Sequence, residues 1–124
     1  MPVPATVDEY IAGFPPPVAE RLERVRGIIV GAVADASGAP PEEKIRYGIA
    51  AVMLGGRYAL HYAGWKKHIG LYPVPPFDGP LEDEVASHRA EKDSLVFPHA
   101  AEMPYPLIDR IAREIAAQRV AAKD

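Results

Sequence analysis

The sequence has 124 residues, of which 48% are hydrophobic, and carries 14 Lys+Arg against 17 Asp+Glu for a net charge of −3. These values fit one globular domain built on a single core and exclude a wholly disordered chain. The weak negative charge, with no basic run longer than Lys66-Lys67, argues against nucleic-acid binding, and the absence of cysteine removes disulfides, thiolate chemistry and sulfur-ligated metal sites.

The 14 prolines fall in clusters, and the stretches between clusters carry periodic patterns, so proline here marks the boundaries of elements. Residues 1–5 are expected to be a flexible start. Thr6-Val7-Asp8-Glu9 has the form of a capping box and opens a short helix that Gly13 ends. Pro15-Pro16-Pro17 leads into a long helix over 17–36, with Val18, Leu22, Val25, Ile28/Ile29 and Ala32/Val33 on its inner face. Ser37-Gly38 stops it, and Pro40-Pro41-Glu42-Glu43 is read as one further helical turn.

From 49 to 72 the pattern is that of strands. Ile49 to Leu54 and Arg57 to Tyr62 flank Gly55-Gly56, the signal for a two-residue hairpin turn, because glycine accepts the positive φ angles such a turn requires. That register places Ile49, Ala51 and Met53 on one face with Tyr62, Leu60 and Tyr58. A third strand, Lys67 to Tyr72, follows a loop formed by Ala63-Gly64-Trp65-Lys66. Continuing the apolar face sets Leu60 opposite Ile69 and Tyr58 opposite Leu71, which makes His61 and His68 cross-strand neighbours on the second face. A short helix opens at Asp78-Gly79-Pro80 with Glu82, Asp83 and Glu84 in its first turn and His88 and Arg89 in its last. Ser94 to Phe97 reads as a fourth strand. The final helix spans 106–122, with Leu107/Ile108, Ile111, Ile115 and Val120 inward. The expected fold is α+β and two-layered: an antiparallel four-stranded sheet with helices on one face, in the order ααβββαβα, within one domain over 1–124.

No run approaches the roughly 18–20 apolar residues of a membrane span, and Met1-Pro2-Val3-Pro4-Ala5 lacks the pattern of a signal peptide, so a cytoplasmic location is expected. Catalytic signatures are missing: there is no Gly-x-Ser-x-Gly elbow, His-Glu-x-x-His pair, P-loop or dinucleotide fingerprint, and an enzyme is not expected. The sharpest constellation is the His61/His68 pair, since two imidazoles a cross-strand distance apart can chelate a divalent metal. Tyr58, Tyr62 and Trp65 form an aromatic group whose tyrosines are read first as core packing; His88 is read as complementing a helix dipole and His99 as a loop residue.

Five ordered stretches resemble the successive motifs of the YdhG-like family: Thr6 to Ile11, Glu43 to Gly48, Lys67 to Pro73, Lys92 to Pro98 and Pro104 to Ile108. The chain differs from that pattern at Val52, where the family has an aromatic residue, and at Asp93, where it has glycine. The resemblance implies an α+β domain with helices on an antiparallel sheet. Some members are described as frataxin-like iron chaperones, so it also implies a non-enzymatic protein that handles ferrous iron (Fe2+) and meets iron–sulfur assembly proteins. Matching polar positions are Tyr47, Lys67, His68, Tyr72 and Lys92.

Two functions are therefore open at this level. One is metal handling through His61 and His68 with nearby carboxylates. The other is a small-molecule or protein-binding module in which Tyr47, Lys67, His68, Tyr72 and Lys92 line a surface on the exposed sheet face, with no metal. Either is compatible with a monomer or a homodimer.

Overall fold

The structure, a computed structural model, describes residues 4–91 and 93–122. Residues 1–3, Lys92, Lys123 and Asp124 lie outside the described residues, and with them most of the expected flexible start and one expected ligand-binding position.

Four helices and five strands follow one another as α1 (Val7–Ala12), α2 (Pro16–Ser37), β1 (Glu43–Arg46), β2 (Ile49–Leu54), β3 (Arg57–Gly64), β4 (His68–Tyr72), α3 (Pro80–Val85), β5 (Leu95–Pro98) and α4 (Tyr105–Ala122), with a single 3-10 turn at Ala86–His88 after α3. The strands form one antiparallel meander in sequence order, β1-β2-β3-β4-β5. All helices belong to one layer: α1 packs on α2, α2 on α4, and α3 on α4.

The helix boundaries follow from the sequence signals. Thr6 accepts a hydrogen bond from the Glu9 N–H (3.1 Å), and the Glu9 carboxylate accepts from the Ala5 N–H (3.1 Å), which satisfies N-terminal donors of α1. Proline occupies the first turn of α2, and Gly38 ends it at φ +82°, a conformation that glycine adopts without a Cβ clash. Leu22, Val25, Ile29, Ala32 and Val33 of α2 and Ile108, Ile111, Ala112, Ile115 and Ala116 of α4 are buried together against the sheet. Near the proline-rich stretch that follows β4, Arg89 binds both Glu82 carboxylate oxygens and donates to the carbonyls of Val74 and Pro75, while Glu82 accepts from the Phe77 N–H. This network, led by the Arg89 hydrogen bond, holds the Glu82 carboxyl at about 2, well below its usual range.

Three expectations change. First, the segment read as a helical turn after Pro40 is strand β1, so the sheet has five strands rather than four and the order is ααββββαβα. Its turn into β2 is Tyr47-Gly48, both at positive φ (+54° and +76°), with Arg46 paired to Ile49. Such a turn requires left-handed backbone at both central positions, and tyrosine is uncommon there, so only half the signal is visible in the sequence.

Second, the β2–β3 hairpin does turn at Gly55-Gly56, with Leu54 opposite Arg57 and Met53 opposite Tyr58, but the register then shifts: Val52 faces Leu60, Ala51 faces His61 and Ala50 faces Tyr62. Ala59 is the extra residue of a β-bulge, and Ala59 and Leu60 both enter the core. Tyr58 therefore leaves the face of Leu60 and Tyr62 and stands beside His61, and β2 turns over relative to the expectation: Ala50, Val52 and Leu54 enter the core with Leu60 and Tyr62, while Ala51 and Met53 fall on the other face.

Third, β3 runs two residues further than expected and pairs Tyr62 with Leu71 and Gly64 with Ile69, leaving Lys66-Lys67 at the tip of the turn. The displacement from the expected register is four residues, an even number, so every side chain keeps its face and hydrophobic alternation cannot tell the two apart. Close packing selects between them. Phe14 and Leu22 lie so near Gly64 that a Cβ there would sit 2.8–3.0 Å from their side chains.

Candidate functional site

The face of the sheet opposite the helices is built from small residues under a set of aromatic and basic ones. Ala51, Ala63 and Gly70 are buried on β2, β3 and β4 without joining the helix-side core, and they are covered by larger side chains of the sheet itself. Tyr72 folds back along its own strand over Gly70, leaving no room for a Cβ there, and its hydroxyl accepts a hydrogen bond from the Trp65 indole N–H (2.8 Å).

His61 is the centre of this face. It is only 5% exposed, its Nδ1–H donates to the Tyr72 carbonyl (3.3 Å), and its Nε2 has no partner among the described residues. The rings of Tyr58 (5.1 Å between centroids) and Tyr47 (5.9 Å) flank it. Burial lowers the imidazole pKa from its ordinary value of 6.5, and the nearby Arg46 charge lowers it further against the Tyr72 hydrogen bond, which raises it. The unfolded chain thus takes up the proton first. The stabilisation by neutral His61 is complete above pH 6.5 and is lost as pH falls through the folded-state value. In the His61→Phe variant, thermal midpoints measured from pH 7.5 downward are expected to fall less below pH 6.5 than those of the wild type; parallel curves would contradict this.

Arg46 connects this aromatic group to a cavity. Its guanidinium lies 5.2 Å from the Tyr47 ring centroid and 5.3 Å from that of Tyr58, and Arg119 of α4 reaches the Tyr58 ring at 5.1 Å while its Nε–H donates to the carbonyl of the bulge residue Ala59 (3.4 Å). Beside them is a cavity of about 690 Å³, within the range of small-molecule sites. Its described lining includes Lys44, Arg46, Arg57 and Arg119 together with Tyr58 and Met53, and no carboxylate. The ion pairs among the described residues use Arg26, Arg89, Arg110 and Arg113, and none uses the four cations of the cavity.

Of the residues expected from sequence to form a site, Tyr47 and Tyr72 both meet His61, while Lys67 and His68 lie apart from them. Tyr47 lies at the β1–β2 turn, 84% exposed, beside His61 and Arg46. Lys67 is at the tip of the β3–β4 turn, at the opposite end of β3 from Gly55-Gly56, and Tyr72 is engaged with Trp65. Lys92 lies outside the described residues. His61 pairs with Tyr72, and His68 sits four residues further along β4, opposite Pro98, about 13 Å away at the usual rise of a strand. The two imidazoles are not cross-strand neighbours, and among the described residues no group of three or more His, Asp or Glu is placed to hold a metal ion.

Of the tyrosines read as core residues, Tyr62 is fully buried but Tyr58 is on the open face; Trp65 is 47% exposed. His99 anchors the β3–β4 turn by donating from Nε2 to the Trp65 carbonyl (2.8 Å), and His88 packs on Phe97 with ring centroids 4.8 Å apart. The cationic cavity was not anticipated. Its members come from β1, the β2–β3 hairpin and the end of α4, and no run in the sequence groups them.

No protein-family model and no curated protein matches this sequence. Among solved structures, a protein of the DUF1801 family, YdhG from Bacillus subtilis, matches with a TM-score of 0.74 at 18% identity, over 95% of this chain and 94% of that one. The chain has the fold of that DUF1801 protein. The architecture implied by the family resemblance, helices on one face of an antiparallel sheet, is the observed one. Among the described residues no helix is long and apolar enough to cross a membrane.

Proposed function

We infer that this chain is a YdhG-like domain that acts as a binding module for a small anion, held in the cavity at the β2–β3 hairpin. The observation that carries this reading is the lining: four cationic side chains around one cavity, without a carboxylate among the described lining residues, in a chain whose net charge is −3. Holding like charges together is unfavourable unless a counter-charge is supplied, and a bound phosphate or carboxylate supplies it. Arg46, fixed between two rings, and Arg119, fixed on Tyr58, present guanidinium groups that need little further ordering on binding. Iron handling, which the family resemblance implies, draws no support from a His61/His68 pair, because the strand register separates the two imidazoles.

Calorimetric titration with inorganic phosphate at low ionic strength is expected to show one site, weakened by added salt. Lys44 and Arg57 are exposed, so the Lys44→Ala/Arg57→Ala double variant is expected to fold and to bind phosphate at least about tenfold more weakly, one or two charge-assisted contacts being lost. Absence of binding at millimolar phosphate, or binding indifferent to the double substitution, would sink the reading.

A further inference from the structure

We propose that the ligand of this cavity is an aromatic anion, a molecule in which a flat ring is joined to a phosphate or carboxylate, and that Tyr47 and Tyr58 hold the ring while Arg46 holds the anionic group. The inference rests on the anion-binding reading and adds the chemical class of the ligand.

Two independent observations lead to it. Tyr47 is 84% exposed, the most exposed large hydrophobic side chain described, and it is held there at φ +54°, a backbone conformation that costs a non-glycine residue on the order of 1 kcal/mol. Packing does not account for tyrosine in such a turn, whereas a ring presented to a ligand does. The β-bulge at Ala59 carries Tyr58, which lines the cavity, off the core side, so its ring and that of Tyr47, which lies outside the lining, stand beside the single guanidinium of Arg46, itself a lining residue. A plain inorganic anion would use the four cations and leave the aromatic group idle. An aromatic anion uses both, by charge pairing and stacking.

The test compares ligands of equal charge that differ only in the ring. Phenyl phosphate is expected to bind at least about tenfold tighter than methyl phosphate, and adenosine monophosphate at least about tenfold tighter than ribose 5-phosphate, the range that stacking of one ring on an aromatic side chain provides. In Tyr47→Ala and in Tyr58→Leu the preference is expected to shrink toward one, with methyl phosphate still bound. Tyr47→Ala alters an exposed turn residue outside the core, so its folding is not in question, and it supplies the deciding measurement should Tyr58→Leu fail to fold. Equal affinities within both ligand pairs would overturn the aromatic inference while leaving anion binding intact. A preference unchanged in both variants would overturn the assignment to these tyrosines. Binding of none of the four ligands would overturn the anion-binding reading itself.

Discussion

The Gly64→Val variant is expected to lose about 3 kcal/mol of stability, seen as a fall of more than about 1 M in the urea midpoint. Gly64 is the position at which β3 passes beneath α1 and α2. A Cβ built there would lie 2.8 and 2.9 Å from Phe14 ring carbons and 3.0 Å from Leu22 Cδ1, and neither neighbour moves freely. Leu22 is fully buried, and Phe14 packs edge-on against Tyr10 with ring centroids 5.2 Å apart. The same glycine donates its N–H to the Tyr10 hydroxyl at 3.0 Å, a hydrogen bond that pins α1 to the sheet and that any shift of β3 lengthens. Because the clash is specific, it should couple. The cost of the milder Gly64→Ala is expected to be at least about 0.5 kcal/mol smaller in a Phe14→Leu background, where the ring carbons are gone. An unchanged midpoint in Gly64→Val would mean that β3 does not run past Phe14 in this register.

The Arg26→Leu variant is expected to destabilise by about 2 kcal/mol, read from the same denaturation curves, and also to weaken phosphate binding although Arg26 does not line the cavity. Arg26 grips Glu43 with two hydrogen bonds, Nε–H to Oε1 at 2.8 Å and Nη2–H to Oε2 at 3.2 Å, and extends Nη1 to Asp8 at 2.7 Å and Glu23 at 3.3 Å. The contacts with Asp8 and Glu23 are exposed at their acidic ends and contribute little. The Glu43 contact matters more, because both side chains are about four-fifths covered and because β1 is an edge strand fastened to the helix layer there. Leucine at this position strands the Glu43 carboxylate. The Arg26→Leu/Glu43→Gln pair is therefore expected to recover part of the loss, a result that a purely steric effect of leucine would not produce. Since β1 also carries Lys44 and Arg46, a loosened β1 disperses the cations of the cavity. Wild-type phosphate affinity in a destabilised Arg26→Leu protein would separate the two roles and count against this coupling.

The helices were legible because each is bounded by residues with a single local meaning. The capping box at Thr6 to Glu9, proline in the first turn of α2 and Gly38 at its end act within a few residues, and the inward positions of α2 and α4 repeat at three- and four-residue steps. The Gly55-Gly56 turn was legible for the same reason. Strand β1 was not, because four residues after Pro40-Pro41 and an atypical Tyr-Gly turn carry too little alternation to outweigh a helical reading.

What the sequence by itself determined is the set of elements that depend on nearest neighbours, together with the side of the sheet on which the residues of β4 and Leu60, His61 and Tyr62 of β3 fall. Tertiary structure alone decided the pairing. The displacement of β4 by four residues preserves alternation, so only the close fit of Phe14 and Leu22 over Gly64 distinguishes the registers, and that choice separates His61 from His68. The bulge at Ala59 likewise has no marker in the chain, yet it moves Tyr58 onto the face of His61 and beside Arg46. Side chains 44, 46, 57 and 119 become one cationic cavity only when β1, the hairpin and the end of α4 meet, because charge clustering in space leaves no imprint on residues that lie far apart in sequence.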